Sequence, residues 1–315
     1  MTSAGGGAVA FPVMTIAFSI EPYVARDFSL MIQSFGMSCA AFTIFFMRVR
    51  LEWATLIICS LGGILGVITG LHTIDPYLKP AEKKMIFVSV WFAFAFVLFL
   101  LNRKRERKTM DKIPNLNWWR VLVLIATGVL GGIFTSVTGS GLDLTCFSII
   151  TTLFRVSEKI ATPTSVVLMA GNTIAGFYWR QVMMDGVAPD GWQFLAVCLP
   201  IVVIGAPIGS LIGTHFHRLV LAGLLYVINT AALIGAFVLV PQTVKLVIMS
   251  VCILVGGCGL FYILTVLGAK IMDRLSDTER EENATSHGPE FVKTNGIKYK
   301  EKQEETVITD KSTLV

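Results

Sequence analysis

The chain has 315 residues, 54% hydrophobic and only 15% charged, with a net charge of +5 and a mean hydropathy of +0.71. Soluble chains carry about 25% charged residues, so this composition excludes an ordinary soluble domain. The basic residues lie beside apolar blocks, which also removes any nucleic-acid reading of the positive charge.

In chain order, a short apolar segment at 7–20, interrupted by Pro12, is followed by long blocks at 27–47, 51–71, 85–101 and 119–138. A second short segment at 142–154 precedes long blocks at 160–179, 192–213, 217–240 and 242–270. The long blocks run to roughly 17–25 residues, the length a helix needs to cross about 30 Å of hydrocarbon. They lack the polar stripe of a water-facing bundle helix. The two short segments do not reach across, and each follows a small-residue stretch, Ser3-Ala4-Gly5-Gly6-Gly7 or Gly139-Ser140-Gly141. Backbone without helical hydrogen bonds is tolerated at membrane depth only where protein or a water-filled cavity surrounds it. From 271 onward Glu, Lys, Asp, Ser and Thr dominate, a composition that buries no core and predicts a disordered tail.

Charge asymmetry sets an orientation. Arg103, Lys104, Arg105, Arg107, Lys108 and Lys112 follow one block closely, which places that loop in the cytoplasm. Counting crossings puts the Arg48/Arg50 turn inside, and Arg26 and the 72–84 loop outside. Counting forward requires 119–138 and 142–154 to form a hairpin that returns to the cytoplasmic side. Arg155 and Lys159 are then inside, the Asp185/Asp190 loop outside, and Arg218 and the tail inside. Arg26 with Asp27 at the outer mouth, and Arg155 with Glu158 and Lys159 at the inner one, are candidates for ion pairing, but each set is read first as solvated loop charges.

A shift of 136 residues lays Gly5 on Gly141, Ala25 on Ala161 and Ser29 on Ser165. The order of features also repeats: glycine loop, short segment, charged loop, spanning blocks. The predicted fold is therefore an all-α polytopic membrane protein of two inverted repeats, each with a Gly-rich broken or re-entrant helix hairpin. In carriers so built the substrate site lies near the midplane, where broken helices meet. The expected organisation is a first membrane repeat at 1–112, a second at 113–240, an additional transmembrane helix at 241–270 and a cytoplasmic tail at 271–315.

Chemistry-bearing candidates follow from the breaks. Successive N–H groups of a glycine-rich loop, with the positive end of the next half-helix, make a nest for a compact oxyanion without a buried Lys or Arg. The substrate-binding candidates are Gly5, Gly6, Gly7, Ser29, Gln33, Gly139, Ser140, Gly141, Ser165 and Asn172; Ser34 and Thr164 offer further hydroxyls. Gln33 and Asn172 are amides inside apolar blocks, where an unpartnered amide costs several kcal/mol, roughly. Asp143 opens the second half-segment; it is a candidate for proton coupling and equally a simple helix cap. Gly62, Gly66 and Gly70, like Gly205, Gly209 and Gly213, read as close helix packing. The six cysteines lack metal or redox spacing and read as small packing residues. No HExxH, nucleotide-binding glycine signature or triad spacing occurs, so no catalytic residue, metal or cofactor is assigned.

Ala4-Gly5-Gly6-Gly7 with Ala25 and Ser29, then Gly139-Ser140-Gly141 with Ala161, Ser165, Asn172 and Gly176, resemble the TauE/SafE sulfite exporter family. The resemblance covers about residues 3–240. It implies a membrane carrier of sulfite, sulfonates or related small sulfur-containing or carboxylate anions. It also implies a helix before the first glycine loop, whereas Gly5 is the fifth residue here, so the expectation is an N-terminally shortened sequence, the alternative being a first half that works with an incomplete hairpin. Asp143 departs from the family, which favours more glycine in that loop. The alternatives are an anion channel, whose charged filter segment is lacking, and a scaffold acting through its tail. Thr313-Leu314-Val315 suits a PDZ-type partner by strand addition. Asn283-Ala284-Thr285 is a glycosylation pattern that the topology keeps in the cytoplasm.

Overall fold

A computed structural model describes residues 7–103, 109–113, 117–215, 218–241 and 243–286. The described residues form helices and no strand beyond one isolated bridge between Met110 and Val156. The helices are α1 (Gly7–Pro12), α2 (Pro22–Phe46), α3 (Trp53–Thr73), α4 (Pro80–Arg103), α5 (Trp118–Thr138), α6 (Leu142–Thr152), α7 (Glu158–Tyr178), α8 (Pro189–His215), α9 (Arg218–Leu239) and α10 (Val244–Ser286). Wide π-helical turns continue α1 over Val13–Ala17 and α7 over Trp179–Met183. Among the described residues six helical stretches are long and apolar enough to cross a membrane, lying in α2, α3, α5, α7, α8 and α10. The chain is an all-α multi-pass membrane protein.

Two compact units are present, residues 1–266 and 267–315. In the first, α3 packs most extensively on α5, and α2 lies against α7 and α8. The α3–α5 seam is built from glycine. A Cβ on Gly62 would lie 2.6 Å from the Ile125 carbonyl oxygen, one on Gly128 would lie 2.5 Å from that of Cys59, and one on Gly66 would strike that of Val129. Without a hydrophobic force between helices in lipid, such backbone contact is what holds them. A Cβ on Gly132 would collide with the Gly63 carbonyl and lie 2.8 Å from the Val67 nitrogen. Gly132→Ala is expected to cost about 1–3 kcal/mol by overpacking, read as a lower unfolding midpoint in detergent. Gly205→Ala, with no atom within 4 Å of its added Cβ, is the control expected to change little.

Three sequence expectations are corrected here. Gly205 and Gly209 lie on an exposed face of α8 with nothing within 4 Å, so they are not close-packing positions among the described residues; the surroundings of Gly213 lie outside them. Arg26 and Asp27 are not solvated loop charges, because α2 begins at Pro22 and buries both. Proline at the first turn has no N–H to leave unsatisfied and a preset φ, and mutual ion pairing lets the charges enter the helix. Finally, α10 runs to Ser286, into the segment from 271 expected to lack structure. Extending a formed helix adds one hydrogen bond per residue without a new nucleus, and the stretch Glu279-Arg280-Glu281-Glu282 consists of good helix formers. Residues 287–315, with the PDZ-type signal, lie outside the described residues.

The 136-residue register reappears in the backbone. Pro22 and Glu158 open α2 and α7, and Trp53 and Pro189 open α3 and α8, each pair 136 residues apart. The turn after the first half-helix bonds Phe18 N to Val13 O (3.1 Å) and Ile20 N to Met14 O (2.9 Å). The turn after α6 bonds Phe154 N to Ile149 O (3.4 Å) and Val156 N to Ile150 O (2.9 Å). Between these bonds Ser19 (φ 55°) and Arg155 (φ 56°) adopt the same left-handed conformation.

Candidate functional site

α5 ends because Gly139 takes a left-handed conformation (φ 77°) and donates to Thr135 O at 2.7 Å, a glycine cap that a side chain would strain. Gly141 follows at φ 150°, and α6 starts immediately after. Thr138 Oγ1 donates to Ser140 O (2.6 Å), and Leu142 N donates to Thr135 Oγ1 (3.1 Å). Hydroxyls of the last turn of α5 thus replace the helical bonds lost at the break. The α5–α6 pair leaves and returns at one end of the bundle: Met110, ahead of α5, donates to Arg155 O at 2.9 Å, and Ser157, after α6, donates to Met110 O at 2.9 Å.

α2 supplies the wall of the break. Arg26, Ser29 and Gln33 fall on one helical face by their three- and four-residue spacing. Gln33 Nε2 donates to Gly139 O (2.6 Å), Ser29 Oγ (3.0 Å) and Ser29 O (3.2 Å). The approach is close enough that a Cβ on Gly139 would lie 2.5 Å from Ser29 Cβ and 2.7 Å from Arg26 O. Three of the sequence candidates, Ser29, Gln33 and Gly139, are therefore in contact. Two buried polar atoms at this place have no hydrogen-bond partner among the described residues: Gln33 Oε1 and Ser140 Oγ. Such atoms cost about 1–3 kcal/mol each when left unmade, so they mark where a polar guest or water is favoured.

The other candidates spread around this contact. Asn172 on α7 donates to Leu168 O (2.9 Å) and reaches Ser60 Oγ (3.4 Å). A Cβ on Gly63 would strike its Oδ1 and come within 2.7 Å of the Leu142 side chain, so Asn172 lies where α3, α6 and α7 meet. Asp143 is fully buried in the first turn of α6. Ser165 is buried and donates to Thr162 O at 2.8 Å; among the described residues no hydrogen bond carries it to the Gln33–Gly139 contact. Its 136-residue relation to Ser29 would pair it with residue 3, outside the described residues. Gly5 and Gly6 also lie outside them, and Gly7 is the first residue of α1.

Sequence reasoning missed a buried charge cluster one turn from the break. Asp27 Oδ1 accepts from Arg26 Nε (2.9 Å), Arg26 Nη2 (2.6 Å) and Arg180 Nε (3.3 Å), and Oδ2 accepts from Ala188 N (3.2 Å). Arg26 Nη1 also pairs with Asp75, whose other oxygen accepts from Lys83 Nζ at 2.5 Å. Beside it, Trp179 Nε1 donates to His72 Nε2 at 3.0 Å. The available signal was the crossing count, which puts Arg26, the 72–84 loop and the 185–190 loop on one side. Those segments meet here.

A broken helix hairpin seated on a polar helix face, in a multi-pass bundle, agrees with the comparison to known proteins. The profile of the Sulfite exporter TauE/SafE family matches residues 1–235. The chain belongs to the TauE/SafE family. No match was found among curated proteins or solved structures. TauE/SafE membership makes the protein a membrane transporter of the sulfite or small-anion type, embedded in lipid; it accounts for α1 to α9 up to residue 235.

Proposed function

We propose that this TauE/SafE protein is a carrier that moves sulfite, sulfonates or related organosulfur anions by alternating access. The observation that carries the reading is the Gln33–Gly139 contact: a glycine break at a helix end, wrapped by a polar helix face and bordered by the buried Ser140 hydroxyl, a donor with no partner among the described residues, while the acceptor Gln33 Oε1 suits the proton of a hydrogen sulfite or a water. Oxyanions suit such a place because N–H groups and the positive end of α6 supply charge without a counter-ion. The helix starts and turn bonds 136 residues apart support two repeats, an arrangement in which one half rocks against the other. Asp143, buried at the start of α6, is our candidate for proton coupling. Lysine and arginine placement supports a cytoplasmic tail.

The test is uptake into proteoliposomes of the full-length chain, across sulfite, thiosulfate, sulfonates and carboxylates, with and without a pH gradient. Saturable flux of the sulfur oxyanions is expected. Flux of none of them would sink the proposal. Non-saturating conductance would favour a channel. Unchanged transport after deleting 271–315 is expected of a carrier, whereas loss of function on that deletion alone would favour a scaffold.

A further inference from the structure

We propose that Arg180, at the edge of the buried charge cluster, is the recognition group of a second oxyanion station, which hands the substrate to the Gln33–Gly139 break. This rests on the carrier reading and adds to it a place and a chemistry. Among the described residues Arg26, Lys83 and Arg180 pair with two carboxylates, Asp27 and Asp75, so these five groups carry one positive charge beyond their internal balance. Buried or half-buried charge in a membrane protein is costly and marks ion pathways.

The three cations are not equally committed. Arg26 is 3% exposed and bound by both carboxylates, and Lys83 is held by Asp75 at 2.5 Å. Arg180 is 15% exposed and donates to Asp27 from Nε alone, at 3.3 Å. Its two Nη groups make no hydrogen bond among the described residues. A guanidinium presents its N–H groups as a planar fork that matches two oxygens of one anion. Arg180 keeps the outer edge of that fork for a sulfite, sulfonate or carboxylate group, while Asp27 orients it from behind.

Position supplies the link to the break. Arg180 touches Asp27 on α2, and the neighbouring Arg26 carbonyl would lie 2.7 Å from a Cβ on Gly139. Ser29 and Gln33 continue the same face inward. Arg180 also sits on the π-helical turn Trp179–Met183 at the end of α7, a wide turn of a kind that recurs at functional sites. An anion on the Nη edge leaves the Nε–Asp27 bond in place, so Asp27 fixes the direction of the fork while the substrate is held.

The experiment uses the full-length protein in nanodiscs, with sulfite as the probe under anaerobic titration calorimetry, alongside flux in proteoliposomes. Arg180→Gln is expected to weaken sulfite binding at least tenfold and to raise KM by more than it lowers Vmax. Arg180→Lys, which keeps charge and loses the fork, is expected to weaken binding at least threefold. Wild-type affinity in both variants overturns the proposal, as does a fall in Vmax at constant KM, which would mark Arg180 as a mere clasp. Should Arg180→Gln not fold, judged by gel filtration, the same thresholds on Arg180→Lys decide. Failure of the wild type to bind sulfite also overturns it. Flux that does not depend on Arg180 sinks this station and leaves the carrier reading standing, whereas Arg180-dependent binding with no flux sinks the carrier reading alone.

Discussion

Gly139→Ala is expected to reduce anion flux at least tenfold while the protein still reaches the membrane. Two costs combine at this position. A left-handed φ of 77° is disfavoured by roughly 1–2 kcal/mol for a residue with a Cβ. The new methyl would also lie 2.5 Å from Ser29 Cβ and 2.7 Å from Arg26 O, and overpacking of that kind costs about 1–3 kcal/mol. Both are relieved by pushing the break away from α2, which stretches the 2.6 Å Gln33–Gly139 bond. Ser29→Gly in the same chain removes one collision and should restore part of the flux. Flux of Gly139→Ala equal to wild type would mean the Gln33–Gly139 contact has no part in transport.

Asp27→Ala is expected to have the largest effect on stability. Asp27 accepts four hydrogen bonds from three partners and is fully buried. Removing it leaves Arg26, itself 3% exposed, facing Asp75 alone. Breaking a buried pair from one side costs about 3–5 kcal/mol. Thermal unfolding in detergent should show a midpoint far below wild type, and Ala188 N loses its acceptor as well. An unchanged midpoint would show that the cluster is not holding α2 against the end of α7.

Much of the bundle was legible because the hydrocarbon thickness fixes helix length. The block at 119–138 became α5 (Trp118–Thr138), and 51–71 became α3 (Trp53–Thr73). The hairpin was legible from charge counting, since Met110 and Arg155 had to share a side. α2 was read five residues short, at 27 rather than Pro22. Hydropathy treats Arg26 and Asp27 as loop residues, and only their partners in distant segments make them tolerable inside. Glycine patterns were ambiguous for a similar reason: Gly66 and Gly205 look alike in sequence, and the helix opposite decides which one is packed. Within the candidate site, the residues that the structure brings into contact, Ser29, Gln33 and Gly139, had been singled out from the breaks and from amides in apolar blocks. Arg180 was not, because its meaning depends on how few of its donors its neighbours use.

Counterflow tests the carrier account most directly. Proteoliposomes loaded with unlabelled sulfite and diluted into a trace of labelled sulfite should accumulate label transiently above equilibrium, because an alternating-access site returns occupied. Empty vesicles should accumulate less. A channel, or a protein that only binds its anion, gives no overshoot, and label that merely equilibrates at the same rate with and without internal sulfite would contradict the account.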